Sequence, residues 1–94
     1  MAIYPGAVVR LTCTAKDAAG ELVDPAALTC DIVDPAGTVT AYEYGVDDEF
    51  GRTSEGIYPL DVELSRAGTY AYRFTSTDPQ AVIEGEIEVA KSAF

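Results

Sequence analysis

The chain has 94 residues, 16 of them acidic and 6 basic, for a formal charge of −10, with two cysteines and no histidine. This length is one domain, 1–94, able to bury about 60–65% of the surface its unfolded form exposes. No run of about 18 apolar residues is present to cross a membrane as a helix, and no basic patch is present to neutralise nucleic-acid phosphates.

The start, Met1-Ala2-Ile3-Tyr4-Pro5-Gly6, lacks a basic stretch followed by an apolar one. The expectation is synthesis in the cytoplasm without a signal peptide. Ile3 is a candidate for a short opening strand, broken by Pro5-Gly6. From Gly6 to Asp17 residues alternate: Val9, Leu11, Cys13 and Ala15 point one way and Arg10, Thr12, Thr14 and Lys16 the other. Period-two alternation marks a half-buried strand. Asp17-Ala18-Ala19-Gly20-Glu21 reads as a turn, and Leu22–Ala27 as an irregular link in which Pro25 biases Asp24 toward an extended form. Leu28, Cys30 and Ile32 alternate with Thr29, Asp31 and Val33 in a second strand. Asp34-Pro35-Ala36-Gly37 has tight-turn composition, and Thr38–Tyr44, β-branched and aromatic, follows as a third strand in a hairpin with the second.

Gly45–Glu55 is the least patterned part, polar around Phe50. Two strongly alternating runs come next. Tyr58, Leu60, Val62 and Leu64 share one face of the first. Tyr70, Tyr72 and Phe74 share one face of the second, across a turn at Ser65-Arg66-Ala67-Gly68. Three aromatic residues at successive inward positions make this hairpin the largest apolar contribution to the predicted core, which comprises Tyr58, Leu60, Val62, Tyr70, Tyr72, Phe74, Cys13 and Cys30. Asp78-Pro79-Gln80 is the last turn. In the final strand, Ala81–Ala90, Ile83, Gly85, Ile87 and Val89 face in and Glu84, Glu86 and Glu88 face out; 91–94 is a tail. No segment has helical spacing. The pattern predicts an all-β sandwich or small barrel of about seven antiparallel strands, the N-terminal one included.

Taken together, Pro5-Gly6 before Val8–Thr12, the Asp17-Ala18-Ala19-Gly20 turn, Asp34-Pro35-Ala36-Gly37-Thr38, Gly56-Ile57-Tyr58 and Ala67-Gly68-Thr69-Tyr70 resemble bacterial and phage immunoglobulin-like domains. The resemblance covers nearly the whole chain and implies an immunoglobulin-like β-sandwich. Val8–Lys16 would then be strand B, Leu28–Val33 strand C, the hairpin at 56–76 strands E and F, and Ala81–Ala90 strand G. It places Tyr70 as the corner tyrosine, its hydroxyl bonding backbone near Ser65 or Arg66. Pro59, without a ladder donor, would sit on an edge strand. Tyr72 stands where antibody domains carry the second cysteine, so Cys13 has no such partner. Cys13 and Cys30 face inward from strands of opposite sheets. A disulfide needs Cα atoms within about 7 Å while facing sheets lie about 10 Å apart, so both are expected as buried free thiols.

Candidate chemistry is sparse. Without histidine, neither a Ser-His-Asp triad at Ser54 or Ser65 nor a standard zinc site is available. Asp47, Asp48 and Glu49, with Glu55 nearby, form a dense carboxylate loop, but their spacing matches no calcium loop. The expectation is a protein without catalytic residues, metal or cofactor. Glu84, Glu86 and Glu88 form an outer stripe that should share a sheet with Asp31 and Arg73. It is either a solvated face whose charges discourage edge pairing or a docking surface for a basic partner. Phe50 and Phe94 are either anchors for a partner or satellites of the core.

The lead expectation is a non-enzymatic structural or binding module. The resemblance extends to the small stand-alone immunoglobulin-like virion proteins of tailed bacteriophages. It implies capsid decoration or a head, neck or tail role, with other virion proteins or further copies as partners, and assembly in the host cytoplasm. The alternative is an adhesion or carbohydrate-binding module of a bacterial surface protein; the absence of tryptophan weighs against a sugar platform.

Overall fold

The computed structural model describes residues 3–78 and 80–92. Six strands follow in order: β1 (Ala7–Thr14), β2 (Ala27–Val33), β3 (Val39–Glu43), β4 (Ile57–Leu64), β5 (Gly68–Thr77) and β6 (Ala81–Val89). They form two antiparallel sheets, β1-β4 and β3-β2-β5-β6, packed on one apolar core as a β-sandwich. Each strand lies where alternation predicts it, within a few residues. Among the described residues no seventh strand forms: Ile3 lies in no strand, and its carbonyl accepts a hydrogen bond from Ala90 N at 2.6 Å.

The loops close by side-chain chemistry. Asp17 and Asp34 each begin an Asp-x-x-Gly turn. The Asp17 carboxylate accepts from the amides of Ala19 and Glu21, and that of Asp34 from Ala36 and Thr38. An aspartate that accepts from amides further along its own loop mimics a backbone turn. Gly20 and Gly37 end these turns at φ +83° and +90°, a region open to glycine at no steric cost.

The two sheets are unequal, which explains the burial pattern. The narrow β1-β4 sheet packs against the wider one, and the inner residues of the two central strands, among them Leu28, Cys30, Ile32, Tyr70 and Phe74, are at most 4% exposed. Edge strands are covered less. Ile83, expected inside, is 45% exposed although it lies on the inner register of β6. Tyr72 is half-buried rather than fully in the core. It lies over Gly85, its partner in register, so closely that a Cβ at Gly85 would meet the phenol ring. The ring fills the space a β6 side chain would otherwise take.

The other predicted core residues, Cys13, Cys30, Tyr58, Leu60, Val62, Tyr70 and Phe74, are buried. Tyr70 receives a hydrogen bond at its hydroxyl from Arg66 N at 3.0 Å, tying β5 to the turn that precedes it. The Pro59 carbonyl accepts from Gly51 N at 2.8 Å, so this peptide edge faces the 49–53 segment and not β1. A residue with no N–H is tolerated there because no ladder bond to β1 is lost.

Candidate protein interface

Alternation sends the odd-numbered residues of β2, β3 and β5, and the even-numbered ones of β6, to the outer face of the four-stranded sheet. Register then sets them in cross-strand rows. Ala41, Asp31, Arg73 and Glu84 are successive neighbours in one row, and Val39, Val33, Ala71 and Glu86 in the next; Thr69 and Glu88 follow. The face therefore brings Asp31, Arg73, Glu84, Glu86 and Glu88 together, as their alternation predicts. With Glu43 beside Thr29, five carboxylates share it with one guanidinium, that of Arg73. The outer face of the smaller sheet is more balanced, with Arg10 bonded to Asp61 at 2.9 Å and Glu63 nearby.

On the four-stranded face Arg73 turns toward β6. Its Nε and Nη2 both lie 2.8 Å from the same oxygen, Oε2 of Glu84. Asp31, opposite Arg73 on the other side, is half-buried. Between these rows the surface dips into a depression of about 250 Å³ whose lining includes Asp31, Arg73 and Glu84 with the apolar Val33, Val39 and Ala71. Val39 stands at its rim, 59% exposed.

The two phenylalanines part company. Phe50 is 3% exposed and sits edge-on to Tyr44 and Phe74, with ring centroids 6.1 and 5.9 Å apart. It is a core residue reached from a loop and is not available as a surface anchor. The polar segment is held against β4 by Gly51 N to Pro59 O and Asp61 N to Glu49 O, and this drives the ring between the sheets. Phe94 lies outside the described residues.

The carboxylate loop also has a structural use: Asp47 accepts from Glu43 N at 2.8 Å, closing the turn after β3. Among the described residues no group of three or more histidine, cysteine, aspartate or glutamate side chains is arranged to hold a metal ion. Cys13 and Cys30 are free and buried. Burial, with a smaller push from Asp31, raises the Cys30 thiol to about 12; burial alone raises Cys13. Neither thiol offers the accessible thiolate that reactivity requires.

One polar centre escaped the sequence. Asp24, in the irregular link, accepts from Arg52 Nε at 3.1 Å and Nη2 at 2.8 Å, from Gly56 N at 3.0 Å and from the Tyr58 hydroxyl at 2.8 Å. It fastens the link to the loop and to the start of β4. No spacing rule announces four donors gathered from positions 28 to 34 residues away. The Arg52 guanidinium first, then the Gly56 amide and the Tyr58 hydroxyl, hold the Asp24 carboxyl well below the usual carboxylate range. A carboxylate with a depressed folded pKa contributes stability that is fully present above its unfolded pKa, about 4, and is lost as pH falls toward the folded value. Asp24→Asn is thus expected to lower the thermal midpoint at pH 7 and to flatten the decline of stability below about pH 4. Thermal melts of both proteins from about pH 7 down to about pH 2 check this; parallel curves for the two would refute it.

No family model matches the chain, and comparisons with curated proteins and with solved structures find no match.

Proposed function

We propose that the protein is a non-enzymatic, immunoglobulin-like module that docks on other proteins through the outer face of its four-stranded sheet. The observation that carries this is the Asp31-Arg73-Glu84 row, where charge, apolar surface and a depression meet on one face. Five carboxylates with one guanidinium repel nucleic acid and suit a basic protein surface, which such a field steers into contact. The strand orders β1-β4 and β3-β2-β5-β6 support the immunoglobulin-like part, since β1-β4 matches B-E and β2-β5-β6 matches C-F-G when the strands take the letters the resemblance implies, with β3 added beside C. The bond from Arg66 N to the Tyr70 hydroxyl supports it further.

The setting we propose is the virion of a tailed bacteriophage, with capsid, neck or tail proteins as partners; this rests on the sequence resemblance and on fold-level analogy. The test is the protein content of virions purified from a producing strain, with wild-type chain and with Glu86→Lys/Glu88→Lys, which leaves the Arg73–Glu84 pair in place. The wild-type chain is expected in the particles and the double variant depleted from them while still folded. Absence of the wild-type chain would sink the virion setting, and equal incorporation of both would sink the outer face as the docking surface.

A further inference from the structure

We infer that the depression on the four-stranded sheet receives one long cationic side chain, a lysine or arginine, from the docking partner. This rests on the outer face being the docking surface and goes further by naming what enters it. The argument starts from an asymmetry. Arg73 lies between two carboxylates in register, Asp31 on β2 and Glu84 on β6. Both of its bonding nitrogens go to one oxygen of Glu84. Among the described residues no side-chain hydrogen bond or ion pair is made by the carboxylate of Asp31, which is half-buried at the wall of the depression. A charge partly withdrawn from water beside apolar neighbours gains most from an opposite charge brought to it.

The rest of the lining selects the form of that charge. Val33, Val39 and Ala71 make an apolar wall next to the carboxylates. A lysine or arginine side chain lays a methylene stem on such a surface while its head reaches a polar group. An apolar side chain alone would cover Asp31 without pairing it, and an acidic one would be repelled. A bare divalent cation is poorly served, because Asp31 and Glu84 stand on strands two spacings apart, about 10 Å, with the Arg73 cation between them.

The test is nuclear magnetic resonance on the 15N-labelled chain at low salt, with three probes. These are Nα-acetyl-lysine methylamide, its neutral counterpart Nα-acetyl-norleucine methylamide, and a hexapeptide of alternating lysine and serine. The lysine compound is expected to shift the amides of Asp31, Val33, Ala71, Arg73 and Glu84 saturably, and the norleucine compound to leave them unmoved. Asp31→Asn should weaken the lysine compound by about fivefold, the upper range for a half-exposed ion pair. Val39→Lys, at an exposed rim position, places a cation in the depression from the chain itself and should abolish the localised shifts. Norleucine binding as well as lysine, or both variants binding like wild type, overturns the inference. If the hexapeptide shifts the outer face while the lysine compound shows no localised site, the inference fails and the docking face stands. If neither moves the outer face, both fall.

Discussion

Phe74→Ala is expected to destabilise the fold by about 3–5 kcal/mol, the range for truncating a buried phenylalanine. Phe74 is 3% exposed and lies on the inner face of β5, with Phe50 at 5.9 Å and Tyr72 at 5.8 Å between ring centroids. It is opposite Cys30 in register and belongs to the cluster that joins the two sheets. Removing the ring leaves a void flanked by β-sheet backbone, which cannot collapse without breaking ladder bonds, so the cavity term is expected in full. A domain of this size holds about 5–15 kcal/mol in total, so the loss is a large fraction. Urea denaturation checks the prediction: the midpoint should fall with the slope unchanged. A loss under about 1 kcal/mol would show that the ring is not packed between the sheets.

Gly56→Ala is expected to cost about 3 kcal/mol, far more than the same change at Gly20, and the comparison isolates the cause. Both glycines have positive φ, +76° and +83°, so each alanine meets the left-handed penalty of about 1–2 kcal/mol. At Gly20 a new Cβ meets nothing within 4 Å. At Gly56 it would lie 2.8 Å from the Ala15 carbonyl oxygen and 3.0 Å from the Leu22 Cβ. Neither neighbour moves freely, since Ala15 N donates to Gly56 O at 2.8 Å and Ala15 O accepts from Val23 N at 3.1 Å. The Gly56 amide is itself a donor to Asp24, so a shift of this peptide also loosens the Asp24 centre. Matched urea titrations of Gly56→Ala and Gly20→Ala measure the difference; equal losses would remove the role assigned to the close approach.

Much of this fold is legible from alternation alone. Tyr58-Leu60-Val62-Leu64 and Tyr70-Tyr72-Phe74 predict two strands with one buried face each, and β4 and β5 carry them so except at Tyr72, which is half-buried. The same period places Asp31, Arg73, Glu84, Glu86 and Glu88 on outward positions, so the members of the candidate interface follow from residue order. Their adjacency is less legible. Which carboxylate Arg73 bonds depends on rotamer choice between two flanking strands, and nothing local distinguishes Asp31 from Glu84.

Phe50 and Ile83 show where local pattern misleads. Phe50 stands in a polar, aperiodic stretch and reads equally as a surface anchor. It is buried because the loop doubles back along β4, a contact between segments with no shared period. Ile83 has a flawless inward register and is 45% exposed, while Val89, inward on the same strand, is 4% exposed. Alternation reports which side of its own sheet a residue takes and nothing about what covers that side.

Residue order dictates the strands, the two Asp-x-x-Gly turns, the two-faced character of each sheet and the acidic stripe, because these follow from side-chain chemistry within a few positions along the chain. The unequal sheets, the Asp24 centre that binds Arg52, Gly56 and Tyr58, the inward turn of Phe50 and the depression beside Asp31 arise only in the folded molecule. Each of these joins residues from separate segments of the chain, and packing and register, which no local window contains, bring them together.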